Sequence, residues 1–468
     1  MKYVIIGNSA AGIGAVEGIR QVDKQGEITV ITDEPHHTYS RPLISYLLLG
    51  KVTEEKMRYR GDGFYDENNV ALIHAAATQI DAGAKQVVLA DGRRIPFDKL
   101  LVATGSSAFI PPFDGLDSVQ DKFTFMSLDD AHKLDKALDK NKRALIIGAG
   151  LIGLKCAEGI LDRVADITAL DLAPRILPSI LDDDGAELVQ KHLENKGIKF
   201  WLSCGVKRFS SNAAILDNGG AIGFDILVLA VGVRPNTALL NGIAKIERGI
   251  LINGKSETSA PDIYAAGDCT QTLDVSSGQN KIMALLPNAY MQGECAGINM
   301  AGGEKSFDKA IPMNAIAFFG LHVITAGNYS GEVYTGDEEK GKEKRAKMPK
   351  EKPSGKLGPS TKGGAARAQE TAAVRNKGGL SLDSPVGERE QVSGEGDQVG
   401  SYKRLFYSNN QLNGYILIGN VEKAGIYTSL IREHTPLDSI DFALVCEKPG
   451  LMAFTREDRI AKLGGTAS

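Results

Sequence analysis

The chain has 468 residues, 43% apolar and 24% charged, with a formal net charge of −4. That length allows roughly two to four domains, and the near-neutral balance gives no drive toward nucleic acid or a membrane surface. No apolar run approaches the roughly 18–20 residues of a membrane-spanning helix. The first predicted strand opens at Tyr3, which leaves no room ahead of it for a signal peptide, so a cytoplasmic protein is expected. The five cysteines (Cys156, Cys204, Cys269, Cys295 and Cys446) are scattered. Their spacing suits buried thiols, and no metal-ligand cluster is expected.

The opening stretch carries the strongest local pattern. An apolar strand, Tyr3–Ile6, runs into Gly7-Asn8-Ser9-Ala10-Ala11-Gly12, a helix to Arg20, and a second strand ending at Asp33-Glu34. This reads as a dinucleotide-binding βαβ unit. Gly7 permits the tight turn, a small residue at Ser9 lets a pyrophosphate approach the backbone, and Gly12 allows close helix–strand packing. Asp33 stands where a carboxylate accepts hydrogen bonds from a ribose. Next comes the loop Pro35–Ser45, with His36 and His37, in which Arg41 is available for a phosphate or a polarised ring. Residues 50–70 read as helical, Val70–Ile80 and Gln86–Ala90 as strands, and Asp91-Gly92 as a hairpin turn. A buried strand then exits at Thr104-Gly105.

Asp129–Lys140 is an amphipathic helix and Arg143–Ile147 a strand. Gly148-Ala149-Gly150-Leu151-Ile152-Gly153 then opens a helix, and strand Asp166–Leu170 ends at Asp171. The opening unit has recurred, which is far stronger evidence than one copy. It implies two dinucleotide sites or two Rossmann-like domains. An acidic residue at 171 favours a free ribose 2′-hydroxyl, hence NADH over NADPH, although Arg175 is near enough to be recruited. Helix Glu187–Gly197, strand Ile198–Leu202 and strand Asp225–Ala230 follow, the last leaving through Gly232 and so mirroring the exit at Gly105. Ile263–Ala266 runs into Gly267-Asp268, whose carboxylate suits a polyol chain or, more plainly, a turn. A helix spans Pro287–Gly302.

Strands resume at Met313–Phe319 and Leu321–Ala326, where His322 reads as structural. Composition then shifts over 337–400 to Lys, Glu, Gly, Ser and Ala, a stretch expected to be disordered or weakly helical. Its basic first part could meet an acidic partner or nucleic acid, with a solvated insertion the plainer reading. Strands Tyr402–Tyr407 and Tyr415–Gly419 and helix Ala424–Arg432 close the pattern.

These residues together resemble the FAD-dependent pyridine nucleotide-disulfide oxidoreductase family. Within it the chain is most similar to the NADH:rubredoxin oxidoreductase branch and the flavin part of NADH-dependent nitrite reductases. The segments that carry the likeness are IGNSAAGIGAVEGI, YSRPLIS, LLVATGS, LIIGAGLIG, AVGVRPN, IYAAGDC, LPNAYMQGECAGINMAG and YILIGN. The resemblance implies an α/β fold of two Rossmann-like dinucleotide-binding domains plus a C-terminal α+β domain carrying a disordered insertion. Residues 1–110 and 238–310 would bind FAD, 111–237 NADH, and 311–468 would form the third domain. By the same likeness Gly7, Ser9, Ala11, Gly12, Asp33, Glu34, Arg41, Pro42, Ala77, Thr104, Gly105, Gly267, Asp268 and Asn288 would hold FAD. Gly148, Gly150, Ile152, Gly153, Lys155, Asp171 and Gly232 would line the NADH side. The helix after Pro287 would point its positive end at the flavin.

Three departures shape the expected chemistry. There is no CxxxxC, and no cysteine near Arg41-Pro42-Leu43, so disulfide and peroxide reduction by those routes are not expected. Lys155 stands where related reductases often have glutamate. It would favour negative charge near hydride transfer, pair with a nearby carboxylate, or simply sit on a helix surface. The expected activity is electron passage between NADH and a small electron-carrier protein of rubredoxin or ferredoxin type, in either direction, by a monomer or homodimer; no catalytic side chain is assigned. The alternatives are a flavin NADH oxidase using dioxygen and a non-catalytic FAD/NADH-binding redox-sensing scaffold.

Overall fold

The computed structural model describes residues 1–336, 400–447 and 449. All belong to one of the chain's two units, Met1–Glu343 with Val399–Ser468; the other, Lys344–Gln398, lies outside the described residues. The reading of 337–399 as a disordered insertion therefore falls outside them too.

The first lobe is built on a five-stranded sheet. Strands β1 (Lys2–Ile6), β2 (Glu27–Thr32), β3 (Val70–His74), β4 (Lys99–Val102) and β10 (Ile263–Ala265) lie in the order β10-β4-β1-β2-β3, all parallel. The second lobe repeats it with β5 (Lys122–Phe123), β6 (Arg143–Ile147), β7 (Asp166–Leu170), β8 (Ile198–Trp201) and β9 (Ile226–Leu229), ordered β8-β7-β6-β9-β5. Each central strand is an unbroken apolar run because both of its faces are covered, one by helices and the other by an antiparallel meander. Tyr3 and Ile5 pack on the helix side and Val4 and Ile6 on the meander side, as do Ala144 and Ile146 against Leu145 and Ile147. Each meander is three-stranded, at 77–96 between β3 and β4 and at 206–223 between β8 and β9.

Helix α1 (Ala10–Val22) lies against helix α6 (Leu286–Met300) at backbone-contact range. A Cβ on Gly14 or Gly18 would collide with the carbonyls of Tyr290 or Glu294, and one on Gly293 or Gly297 with those of Ala11 or Ala15. The small residues of both segments are the condition for that crossing.

The third region is a sheet of β11 (Met313–Phe318), β12 (Leu321–Gly327), β13 (Glu332–Gly336), β14 (Tyr402–Ser408) and β15 (Gln411–Ile418), antiparallel in the order β11-β12-β15-β14-β13. Alternation along its strands splits its side chains between two cores. Phe318, Leu321, Val323, Ile416 and Ile418 join the second lobe's core. Leu405, Leu412, Tyr415 and Leu417 pack under helix α7 (Ala424–Arg432). Helix α5 (Asp183–Asn195) is the anchor for the sheet: its N-cap residue Asp182 accepts from Tyr402 Oη at 2.8 Å and Arg404 Nη1 at 2.6 Å, and Asp184 from Arg404 Nη2 at 2.7 Å.

Several elements differ from the sequence reading. Residues 50–70 hold only the short helices Glu54–Met57 and Phe64–Glu67, with Gly61 and Gly63 between them. Val70–Ile80 is two strands, because the chain leaves the parallel sheet after His74 and starts the meander at Ala77. Helix α5 begins four residues before Glu187, where Asp182 accepts the Gly185 N–H at 3.0 Å. The mirrored exits at Gly105 and Gly232 pair with each other, Ser106–Ala108 antiparallel to Val233–Pro235, and so join the lobes. No helix among the described residues is long and apolar enough to cross a membrane.

Candidate functional site

A cavity of about 1650 Å³ opens at the carboxyl ends of the first sheet. Parallel strands direct their carboxyl ends and the following helix N-termini to one crevice, so the crevice concentrates backbone N–H groups and positive dipole ends. Its walls include Gly7, Ser9 and Ala11 from the first turn, Asp33 and Glu34 after β2, and Ala77 from the meander. Thr104 and Gly105 after β4, Gly267 and Asp268 after β10, Arg41 and Pro42 from the loop, and Pro287 and Asn288 from α6 complete that side. The second lobe contributes Ile152 and Lys155 from helix α4 (Leu151–Ile160), and the C-terminal sheet contributes Met313–Ala317 and His322. His322, expected to be structural, is exposed and faces this space.

The turn geometry explains the glycines. Gly7 has φ of +118°, and a Cβ there would collide with the Ala103 carbonyl oxygen; Gly12 lies against the Gly7 carbonyl in the same way. Ser9 has φ of −110° and ψ of −166°, open to any small residue, and its side chain makes no capping bond. The first N–H groups of α1 therefore remain available.

Polar side chains around the cavity are held by long-range partners. Arg41 pairs with Glu34 and donates to Tyr39 Oη at 3.2 Å and Met126 O at 3.3 Å. Burial alone would ease its proton off, but Tyr39, Glu34 and Asp268 outweigh burial and raise its pKa, so it remains a cation. Glu34 is thus engaged, also accepting from Tyr39 Oη at 3.0 Å, whereas Asp33 is exposed and has no hydrogen bond among the described residues. Burial pushes the Asp268 carboxyl above the usual range, offset in part by Ser106 Oγ at 3.3 Å and by Arg41. Gly267 N donates to Gln292 Oε1 at 2.8 Å, which fixes the turn carrying Asp268.

Among the described residues, four buried side-chain atoms have no partner: Asn8 Nδ2, His37 Nε2, Thr38 Oγ1 and Asn288 Nδ2. All four residues line this one cavity. Buried polar groups are nearly always paired, so the wall has unmet hydrogen-bonding capacity at several points around a space of dinucleotide size. The unpaired polar groups and the uncapped α1 turn suit a dinucleotide such as FAD. Sequence reasoning assigned Asn288 but not Asn8, Thr38 or the His37 ring, nor Gln292 and Asn236. Asn236 accepts from Thr104 Oγ1 through its carbonyl at 2.6 Å and returns a bond from Nδ2 to Thr104 O at 2.9 Å. These contacts join segments remote in sequence: the quoted stretches contain Asn8, Thr104, Asn236 and Gln292, but nothing in them pairs one with another.

The second glycine turn lies outside the cavity, as do Asp171 and Gly232. Gly148 has φ of +110° and faces the Ala230 carbonyl, Gly153 faces the Gly148 carbonyl, and nothing crowds Gly150. Asp171 accepts from Ala149 N at 2.7 Å and Ala173 N at 2.8 Å, so its carboxylate braces the turn. Arg175 is already engaged with Leu181 O at 3.2 Å and Asp183 at 3.0 Å. Lys155 pairs with Glu158 and donates to Ala317 O at 3.2 Å; it is the carboxylate-paired lysine of the three options weighed from sequence. All five cysteines are free and buried, and none lines the cavity. Burial pushes the Cys269 thiol up to about 11, which keeps it inert.

Residues 1–293 match the family described as pyridine nucleotide-disulphide oxidoreductase. The chain is 35% identical over 351 residues to the NADH-dependent phenylglyoxylate dehydrogenase subunit epsilon of Aromatoleum evansii, covering 72% of this chain and 83% of that one. It is 34% identical over 322 residues to an NADH oxidase of Methanocaldococcus jannaschii, with coverage of 66% and 71%. It is 30% identical over 330 residues to the NADH-rubredoxin oxidoreductase of Clostridium acetobutylicum, with coverage of 70% and 82%. Among solved structures, the covalent putidaredoxin reductase–putidaredoxin complex aligns with a TM-score of 0.77 at 20% identity over 99% of both chains, which shows a shared fold.

Proposed function

Because the chain belongs to the pyridine nucleotide-disulphide oxidoreductase family, we propose that it is an FAD-dependent enzyme passing electrons between NADH and a small iron or iron–sulfur protein. The observation that carries the reading is the cavity wall: partnerless buried polar groups, an uncapped helix turn and Asp268 around one space, and no cysteine beside it. Bound FAD supplies a hydride acceptor that can release electrons singly. The chain's residues bind and orient. The α1 turn takes the pyrophosphate, Asp33 a ribose and Asp268 the ribityl hydroxyls. The α6 N-terminus, with no side-chain cap, presents N–H groups to developing negative charge. The second turn and Asp171 take NADH and bring its ring toward the wall that holds Ile152 and Lys155. Without a cysteine at the cavity, transfer to an iron protein needs no thiol relay.

The lobe assignment is part of the proposal: residues 1–110 and 238–310 for FAD, 111–237 for NADH, and 311–468 as the third domain. The two paired five-stranded sheets support it. A cytoplasmic location is included, where NADH is available. Three relatives divide between two outlets. The rubredoxin oxidoreductase and the dehydrogenase subunit favour a protein partner, and the NADH oxidase favours dioxygen. Anaerobic stopped-flow mixing with NADH, followed by oxidised rubredoxin, ferredoxin or air-saturated buffer, decides. Fast reoxidation by the iron protein alone is expected; fast reoxidation by air alone would make the protein an oxidase. Failure of NADH to reduce the flavin would overturn the hydride-transfer reading. Sedimentation of the holoprotein separates monomer from homodimer.

A further inference from the structure

Lys155 and Glu158 form a pair of opposite charges at the cavity wall. Lys155 is on the cavity wall with its side chain 14% exposed, while Glu158 lies one helical turn on, its side chain 7% exposed and away from the lining. The ammonium is also 4.5 Å from the Tyr46 ring centroid and donates to Ala317 O on β11 at 3.2 Å. Glu158 spends its second oxygen on the Phe319 N–H at 2.7 Å. Phe319 has φ of +47°, a left-handed conformation that non-glycine residues adopt at a cost, and it forms the β11–β12 turn with Gly320. A buried carboxylate thus holds both the lysine and a strained hairpin, so neither charge is free to swing away.

We propose that this pair sets the electron affinity of the ring system bound in the cavity, with Lys155 raising it and Glu158 lowering it. The inference rests on the functional reading above. Hydride transfer moves two electrons and one proton from NADH, leaving NAD⁺ and adding one negative charge to the acceptor. Where side chains are this shielded from water, a fixed cation near that charge favours the reduced form and a fixed anion near it opposes it. The two residues therefore act with opposite sign, and their net effect depends on both being present.

The test is the midpoint potential of the FAD holoprotein, read from visible spectra during anaerobic equilibration with reference dyes. Lys155→Met should lower the reduced-to-oxidised ratio at a fixed poise at least tenfold, about 30 mV for a two-electron couple. Glu158→Gln keeps an acceptor for Phe319 and should move the ratio the other way. Lys155→Arg and the double substitution Lys155→Met with Glu158→Gln should each lie within threefold of the unsubstituted protein, because each preserves the net charge. A purely structural role would not produce shifts of opposite sign that cancel. Should Lys155→Met fail to fold, the upward shift in Glu158→Gln and the rescue in Lys155→Arg still decide. Shifts in one direction, or none beyond threefold, overturn the inference while normal FAD binding and NADH reduction leave the functional reading standing. Absence of FAD binding in the unsubstituted protein would overturn that reading first.

Discussion

The two nucleotide lobes share a backbone and differ in what their acidic ends are free to do. Gly7 and Gly148 have nearly the same positive φ, and each faces the carbonyl of the strand-exit residue, Ala103 or Ala230. The turns are closed by the same bonds, Gly7 N to Ile31 O at 2.8 Å and Gly148 N to Leu170 O at 2.7 Å. The carboxylates after the second strands differ. Asp171 is tied to two backbone N–H groups, whereas Asp33 is exposed and has no hydrogen bond among the described residues. A repeated fold therefore does not repeat the work of its side chains: in the second lobe the carboxylate braces the turn, and in the first it does not.

The largest effect should come from the shared part. Gly7→Ala and Gly148→Ala each meet a backbone oxygen in a conformation alanine disfavours, and each should cost about 3 kcal/mol in urea unfolding. They should differ in the ligand lost, FAD for the first and NADH for the second, read by flavin absorbance and NADH titration. Loss of FAD from both would break the assignment of one turn to each cofactor. Next, Asp171→Ala leaves two N–H groups without their acceptor and should cost about 2 kcal/mol, while Asp33→Ala should change stability by less than about 0.5 kcal/mol. Each should weaken its own nucleotide about tenfold. Equal melting losses would erase the contrast.

A smaller effect concerns Asp268. Burial raises its folded pKa, so the apoprotein holds this proton more tightly than the unfolded chain does. The stability it contributes is present at low pH and is lost as pH rises through the raised folded value. Asp268→Asn should leave apoprotein melting at pH 4 nearly unchanged and raise it at pH 8, while FAD retention falls. Unchanged melting at both pH values would mean the carboxyl finds solvent. The smallest effect belongs to the middle turn position. Ser9→Gly and Gly150→Ser exchange small residues at negative φ and should each change stability by less than about 1 kcal/mol, checked in the same urea series.

Both turns were legible in the sequence because a βαβ unit is local: strand, glycines, helix and acidic end fall within about 30 residues. Helix Ala424–Arg432 was legible to the residue for the same reason. What joins the pieces was not. Glu34 was legible as a candidate ligand, but its partners Arg41 and Tyr39 were not, and nothing near Lys155 in sequence foretold Ala317 as its acceptor. Asn8, His37 and Thr38 are ordinary polar residues in a string. Only the fold, which buries them around one cavity, marks them.

The sheet order at the C-terminal end has a practical consequence. β11, which lines the cavity, is one edge of that sheet, and β13 is the other. The chain between β13 and β14 leaves from Gly336 and returns beside it, with Gly336 in register with Lys403. The strand ladder thus holds Gly336 and Lys403 side by side, whatever joins them in sequence. A reporter or an affinity module inserted just after Gly336 would start from a backbone already fixed at the sheet edge away from β11, with little demand on the fold.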